Sequence, residues 1–186
     1  MNKVICAFFL SSALIFGQSN RTSEVRIDGV VDSLEYNSMV SLVPDTLTMY
    51  YNVDSLRIYI ALKSSVPGWL AIGFDPEKGM KNADMIVLYQ EKDGNWILKD
   101  EYSRGIYGPH MEDEKIGGKN DIENFKVEVF NHYKVVEFVR KLSTGDKYDR
   151  VLIPGRKVKV IFAAAKSSDI RKKHDLLKGM KEITLE

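Results

Sequence analysis

Apolar and polar positions alternate with a period of two along much of the chain, the spacing of strands that bury one face. Residues 46–52 (TLTMYYN) and 56–63 (LRIYIALK) are rich in β-branched and aromatic side chains. The break between them, Val53-Asp54-Ser55, predicts a hairpin. Residues 69–74 and 85–89 are almost wholly apolar and predict two buried strands. Residues 95–98 follow the turn Lys92-Asp93-Gly94, and 125–130 and 133–142 form a second hairpin across Asn131-His132. The last strong strand is 157–164 (KVKVIFAA), and 25–31 is a shorter candidate with Gly29 near its end.

Two segments depart from this period. Residues 101–121 hold Gly105, Gly108, Pro109, Gly117 and Gly118 among many charges and predict a long surface loop. In residues 167–179, Ser167-Ser168-Asp169 offers N-caps and Gly179 a stop, which predicts a short helix near the C-terminus. Ile170, His174 and Leu177 would then share one face. The sum is an all-β chain, a sandwich or barrel of about ten strands. No tandem repeat, low-complexity tract or linker divides it.

The N-terminus stands apart. Residues 1–19 (MNKVICAFFLSSALIFGQS) carry one positive charge, an apolar run over 4–16, and small residues after it. This is the layout of a secretory signal peptide, which places the remainder, 24–186, outside the cytoplasm as one domain. The apolar run falls short of the roughly 20 residues of a membrane-spanning helix. Cleavage would remove Cys6, the only cysteine, and Lys3. The 27 basic residues minus Lys3 leave 26 against 26 acidic ones, so no basic excess favours nucleic acid or an anionic membrane. Without cysteine there is no disulfide, thiolate ligand or Cys-x-x-Cys-His haem attachment.

Catalytic signatures are missing: no Gly-x-Ser-x-Gly elbow, no phosphate loop, no His-Glu-x-x-His. The chain therefore reads as a binding or electron-transfer domain, not an enzyme by itself. Of the three histidines, His132 lies at a hairpin turn and His110 in the long loop, both expected to be structural or exposed. His174, on an apolar stripe, needs a partner, either a backbone carbonyl or a metal. Its complement is Met80, an apolar thioether in the polar loop DPEKGMKN. Such a methionine plugs a core, contacts a partner, or offers a soft ligand to haem iron or copper.

The stretch GWLAIGF, a short loop, then GMKNADMIV resembles the signature of the DOMON domain family. Residues 99–103 with Gly105 and Pro109, residues 138–142 with Thr144 and Asp146, and residues 160–164 followed by His174 extend the likeness over 46–174. The resemblance implies an immunoglobulin-like β-sandwich, usually extracytoplasmic. The family includes the haem b cytochrome domain of cellobiose dehydrogenase. In its cytochrome branch, a loop methionine and a late histidine hold haem b non-covalently, and Met80 and His174 match those positions. Trp69, Phe74 and Met85 would wall the pocket. The implied role is single-electron transfer to a redox partner protein or a membrane electron carrier. The alternative within the family is a haem-free module that binds a carbohydrate or another small ligand, or an extracellular interaction module. Trp69, Trp96, Tyr102 and Tyr107 are the aromatics that could stack on a sugar.

Overall fold

The computed structural model describes residues 24–32 and 34–186, so the segment read as a signal peptide lies outside the described residues. Eleven strands and one short helix follow in order. They are β1 (Ser38–Val43), β2 (Leu47–Val53), β3 (Arg57–Ser64), β4 (Leu70–Phe74), β5 (Asp84–Gln90) and β6 (Trp96–Ser103). Then come β7 (His110–Glu112), α1 (Asp113–Ile116), β8 (Ile122–Val129), β9 (Lys134–Lys141), β10 (Lys157–Ala164) and β11 (Leu177–Thr184). Two antiparallel sheets, in the orders β1-β2-β3-β9-β8 and β11-β10-β4-β5-β6-β7, pack as a β-sandwich.

Strand parity fills the space between the sheets. Ile58, Ile60 and Leu62 of β3 and Val136 and Phe138 of β9 face Leu70, Ile72 and Phe74 of β4 and Val158, Val160 and Phe162 of β10. Each such side chain, fully buried, contributes about 1.5–3 kcal/mol. Polar links also cross the layers, among them Lys181 of β11, whose ammonium donates to the Ser41 carbonyl of β1. Arg140 of β9 donates to Asp84 of β5 at 2.7 Å, and Tyr51 of β2 donates to the Thr184 carbonyl at 2.8 Å.

Residues 25–31 do not form the expected strand. They drape over the outer face of the first sheet, where Glu137 accepts from the Asp28 and Gly29 amides at 3.0 and 2.6 Å and from the Tyr36 hydroxyl at 2.7 Å. A buried carboxylate thus replaces a neighbouring strand as the acceptor for these amides. The expected loop 101–121 is also shorter, because β6 runs on to Ser103 and β7 adds an edge strand before α1. The expected helix at 167–179 is absent. Residues 165–176 form an irregular loop, and Leu177 begins β11, paired with β10. Its helical spacing was met by three residues only, and pairing with the exposed edge of β10 satisfies more backbone groups than one or two helical turns could.

Candidate functional site

Strands β4 and β5 are buried on both faces, and β10 beside them is buried on its inward face and partly buried on its outward face at Ile161 and Ala163. Their inward residues belong to the core; their outward residues form a second apolar patch of Trp69, Ala71, Ala83, Met85, Val87 and Ala165. Met80, Tyr89, Ile161, Ala163 and Ile170 pack against it, partly buried. The centre of the patch is made of small residues. Ala71 pairs with Val87 and Ala163, and Gly73 pairs with Met85 and Ile161. A Cβ on Gly73 would stand 3.0 Å from Ile161 and 3.1 Å from Met85, so the glycine keeps this stretch of the face shallow.

The loop between β4 and β5 sets Met80 at the edge of this patch. Its backbone is tied down on both sides: the Met80 amide donates to the Ile106 carbonyl at 2.9 Å, and the Ala83 amide donates to the Met80 carbonyl at 3.0 Å. The neighbouring Asn82 amide donates to the Ser103 carbonyl at 2.7 Å. Gly79 has φ +59, and a Cβ there would lie 2.5 Å from the Ile106 oxygen, so this position requires glycine. The Met80 methyl reaches toward Gly108. A methionine that looks misplaced in the sequence DPEKGMKN therefore has a fixed backbone and an apolar surface beneath it.

His174 comes from the loop 165–176. The ends of that loop are held to the sheet: the Trp69 amide donates to the Ser167 carbonyl at 3.0 Å, and the Leu176 amide donates to the Ala164 carbonyl at 3.2 Å. The Trp69 indole reaches its middle and donates to the Lys172 carbonyl at 3.0 Å. The His174 ring stands edge-on to Trp69, centroids 6.5 Å apart. His174 is partly buried, as is Met80. Both therefore border one patch, on opposite sides of a position gap of 174 minus 80, or 94. A groove of about 650 Å³ opens at the margin of the patch between residues 89–93 and 168–171, sharing Tyr89 and Ile170 with it.

Not every residue assigned to the site lies there. Trp69 and Met85 are in the patch, but Phe74 is not. It is fully buried between the two sheets. Trp69 and Phe74 are five residues apart along one extended segment, and an odd separation sends side chains to opposite faces. The aromatics considered for sugar stacking also divide. Trp69 is 6% exposed, Trp96 packs against the core, and Tyr102 lies 5.1 Å from Tyr148, ring to ring; only Tyr107, 94% exposed, stands free. Arg171, Lys172 and Lys173 are exposed, and Arg171 is paired locally with Asp169 at 2.7 and 2.8 Å. His132 is exposed at its turn, whereas His110 sits on β7 hydrogen-bonded to Glu101.

The DOMON domain family model matches residues 44–165, and the chain belongs to that family. Among solved structures, the cytochrome domain of Myriococcum thermophilum cellobiose dehydrogenase is similar, with a TM-score of 0.55 and 14% identity. The match covers 80% of this chain and 82% of that one, and it supports the sandwich architecture. A family 9 carbohydrate-binding module from Caldicellulosiruptor kristjanssonii, seen with glucose and with cellotriose, aligns more weakly, with TM-scores of 0.40 and 0.42. Identities there are 13% and 14%, over 75% of this chain and 73% and 71% of the module. A search by sequence among curated proteins finds no match. Among the described residues, no helix is long and apolar enough to cross a membrane.

Proposed function

We propose that this DOMON domain binds haem b non-covalently through Met80 and His174 and serves as an exported single-electron carrier. The observation that carries this reading is that both residues, from loops far apart in sequence, border the same small-residue apolar patch. The donor set fits: a thioether and an imidazole suit haem iron, and the patch itself contributes only apolar side chains. Met80 and His174 would hold the iron from their two loops, and a haem so held would supply one-electron chemistry at a raised potential.

The chain's own residues have separable tasks. Trp69 and Met85 form the apolar floor and exclude water. The Trp69 indole fixes the loop that carries His174. The ties to Ile106 and Ser103 hold the Met80 loop before any ligand arrives, which lowers the ordering cost of binding. The similarity to a cytochrome domain in fold agrees with this assignment. Electrons would pass to a redox partner protein or a membrane electron carrier outside the cytoplasm, and the domain would need that partner to take part in catalysis.

The test is the reduced-minus-oxidised visible spectrum of protein exported from haem-replete cells. A low-spin b-type spectrum, lost in both Met80→Ala and His174→Ala, supports the assignment. A colourless, well-folded protein that ignores added haemin overturns it and leaves a haem-free ligand-binding or interaction module.

A further inference from the structure

A different constellation lies between the two sheets, on the other face of β5 and β6. Asp84 opens β5, Asp100 lies on β6, and Asp149 belongs to the connection between β9 and β10. Their side chains are almost completely out of solvent. Asp84 Oδ2 accepts from Arg140 Nη1 at 2.7 Å and from the Arg150 amide at 2.8 Å, while its Oδ1 has no partner within the protein. Asp100 Oδ2 accepts from the Asp121 amide at 3.0 Å, and its Oδ1 is likewise unpartnered. Neither Asp149 oxygen is hydrogen-bonded, although Arg140 Nη2 stands 3.5 Å from Oδ2. One oxygen from each residue lies within 4.8 Å of the other two.

Such an arrangement is expensive for a protein alone. An unpaired buried carboxylate is among the costliest groups to hold in a core. Three carboxylates against the one guanidinium in contact leave two negative charges. The three residues thus present four unpartnered oxygens. Asp113, at the start of α1, is also 1% exposed with both oxygens unpartnered.

We propose that Asp84, Asp100 and Asp149 bind a calcium ion that clamps the β9–β10 connection to β5 and β6. An ion at 2.3–2.6 Å from each oxygen requires oxygens no more than about 5 Å apart, which the triad satisfies. Calcium takes six to eight oxygen ligands in flexible geometry, whereas magnesium demands a near-ideal octahedron and keeps its waters. The all-oxygen set disfavours softer metals. A divalent cation also cancels the two surplus charges. This site is independent of the haem patch, because it uses the inward face of the sheet and none of the same residues.

The experiment uses the haem-free full-length chain treated with EGTA and then titrated with calcium chloride by calorimetry and by thermal melting. Binding of one ion is expected, with the melting temperature raised by about 5 °C or more at a hundredfold excess over Kd. Asp100→Asn and Asp149→Asn should lose the response, yet melt no lower than wild type in EGTA, since each replaces a buried, unpartnered carboxyl with a neutral amide of the same size. Met80→Ala should keep it. No binding to wild type, an unchanged response in Asp100→Asn, or an equal response to magnesium would overturn the calcium site. If a variant fails to fold, the wild-type titration with both cations decides alone.

Discussion

The Trp69 indole stands edge-on to the His174 imidazole, ring centroids 6.5 Å apart, and donates to the Lys172 carbonyl two residues before it. One side chain therefore forms part of the patch floor and also holds the loop that brings the histidine to the patch. Trp69→Phe keeps most of the apolar body and deletes the donor. Haemin affinity is expected to fall about tenfold, the loss of one hydrogen bond worth roughly 1.4 kcal/mol. Wild-type and variant haemin titrations followed in the Soret region check this. Equal affinities would mean that the indole N–H does not position the late loop.

Met80 and Phe74 offer a contrast in kind. Phe74 is fully buried in the core, so Phe74→Ala should cost about 3–5 kcal/mol of unfolding free energy. The same change should leave the visible spectrum of the folded, haem-loaded fraction as it was. Met80→Ala should do the opposite, with a stability change of about 1 kcal/mol or less and loss of the low-spin spectrum. Urea unfolding and spectra on the two variants separate the roles. A spectral change in Phe74→Ala at full folding would return Phe74 to the haem pocket.

Much of this was legible in the chain. The alternation in 56–63, 133–142 and 157–164 predicts β3, β9 and β10 to within a residue or two, because each turns alternate residues into the core. β4 and β5 read as continuous apolar runs for a different reason: their second face carries the apolar patch of Trp69, Ala71, Met85 and Val87. The parity of β4 would have excluded Phe74 as a wall residue, since it follows Trp69 by an odd number. The late loop was not legible, because its strand, β11, begins at the half-polar Leu177-Lys178-Gly179-Met180 and is specified by the open edge of β10. Nor was the acidic group. Asp84, Asp100 and Asp149 read as ordinary polar positions until the sheets close over them.

Among the described residues, Arg140 is the one guanidinium ion-paired with that acidic group, and it links the two sheets. Arg140→Met keeps the length of the side chain but strands Asp84 without its cation. A broken buried ion pair costs about 3–5 kcal/mol, so the variant should unfold at markedly lower urea. Adding Asp84→Asn should recover part of the loss by removing the uncompensated carboxylate. A double variant as unstable as the two single losses summed would show that Arg140 acts through packing alone.

Lys134 supplies a pH dependence whose sign can be worked out. Its ammonium donates to the Gly68 carbonyl at 2.8 Å and to the Val66 carbonyl, and lies 5.1 Å from the Trp96 ring centroid. Burial pushes its pKa down to about 8 from an ordinary 10.5. Between those values the unfolded chain binds a proton that the folded chain does not, so this group adds stability as pH rises from about 8 toward 10.5. Tyr59 and Tyr89 are shifted up, so their opposing contributions begin only near pH 10. Urea midpoints of wild type and Lys134→Met at pH 7.5, 8.5 and 9.5 isolate the lysine. The wild-type midpoint should climb relative to the variant across this window. Parallel curves would show that the two carbonyls keep Lys134 charged throughout, and that the segment leading into Trp69 is held by an ammonium at every pH tested.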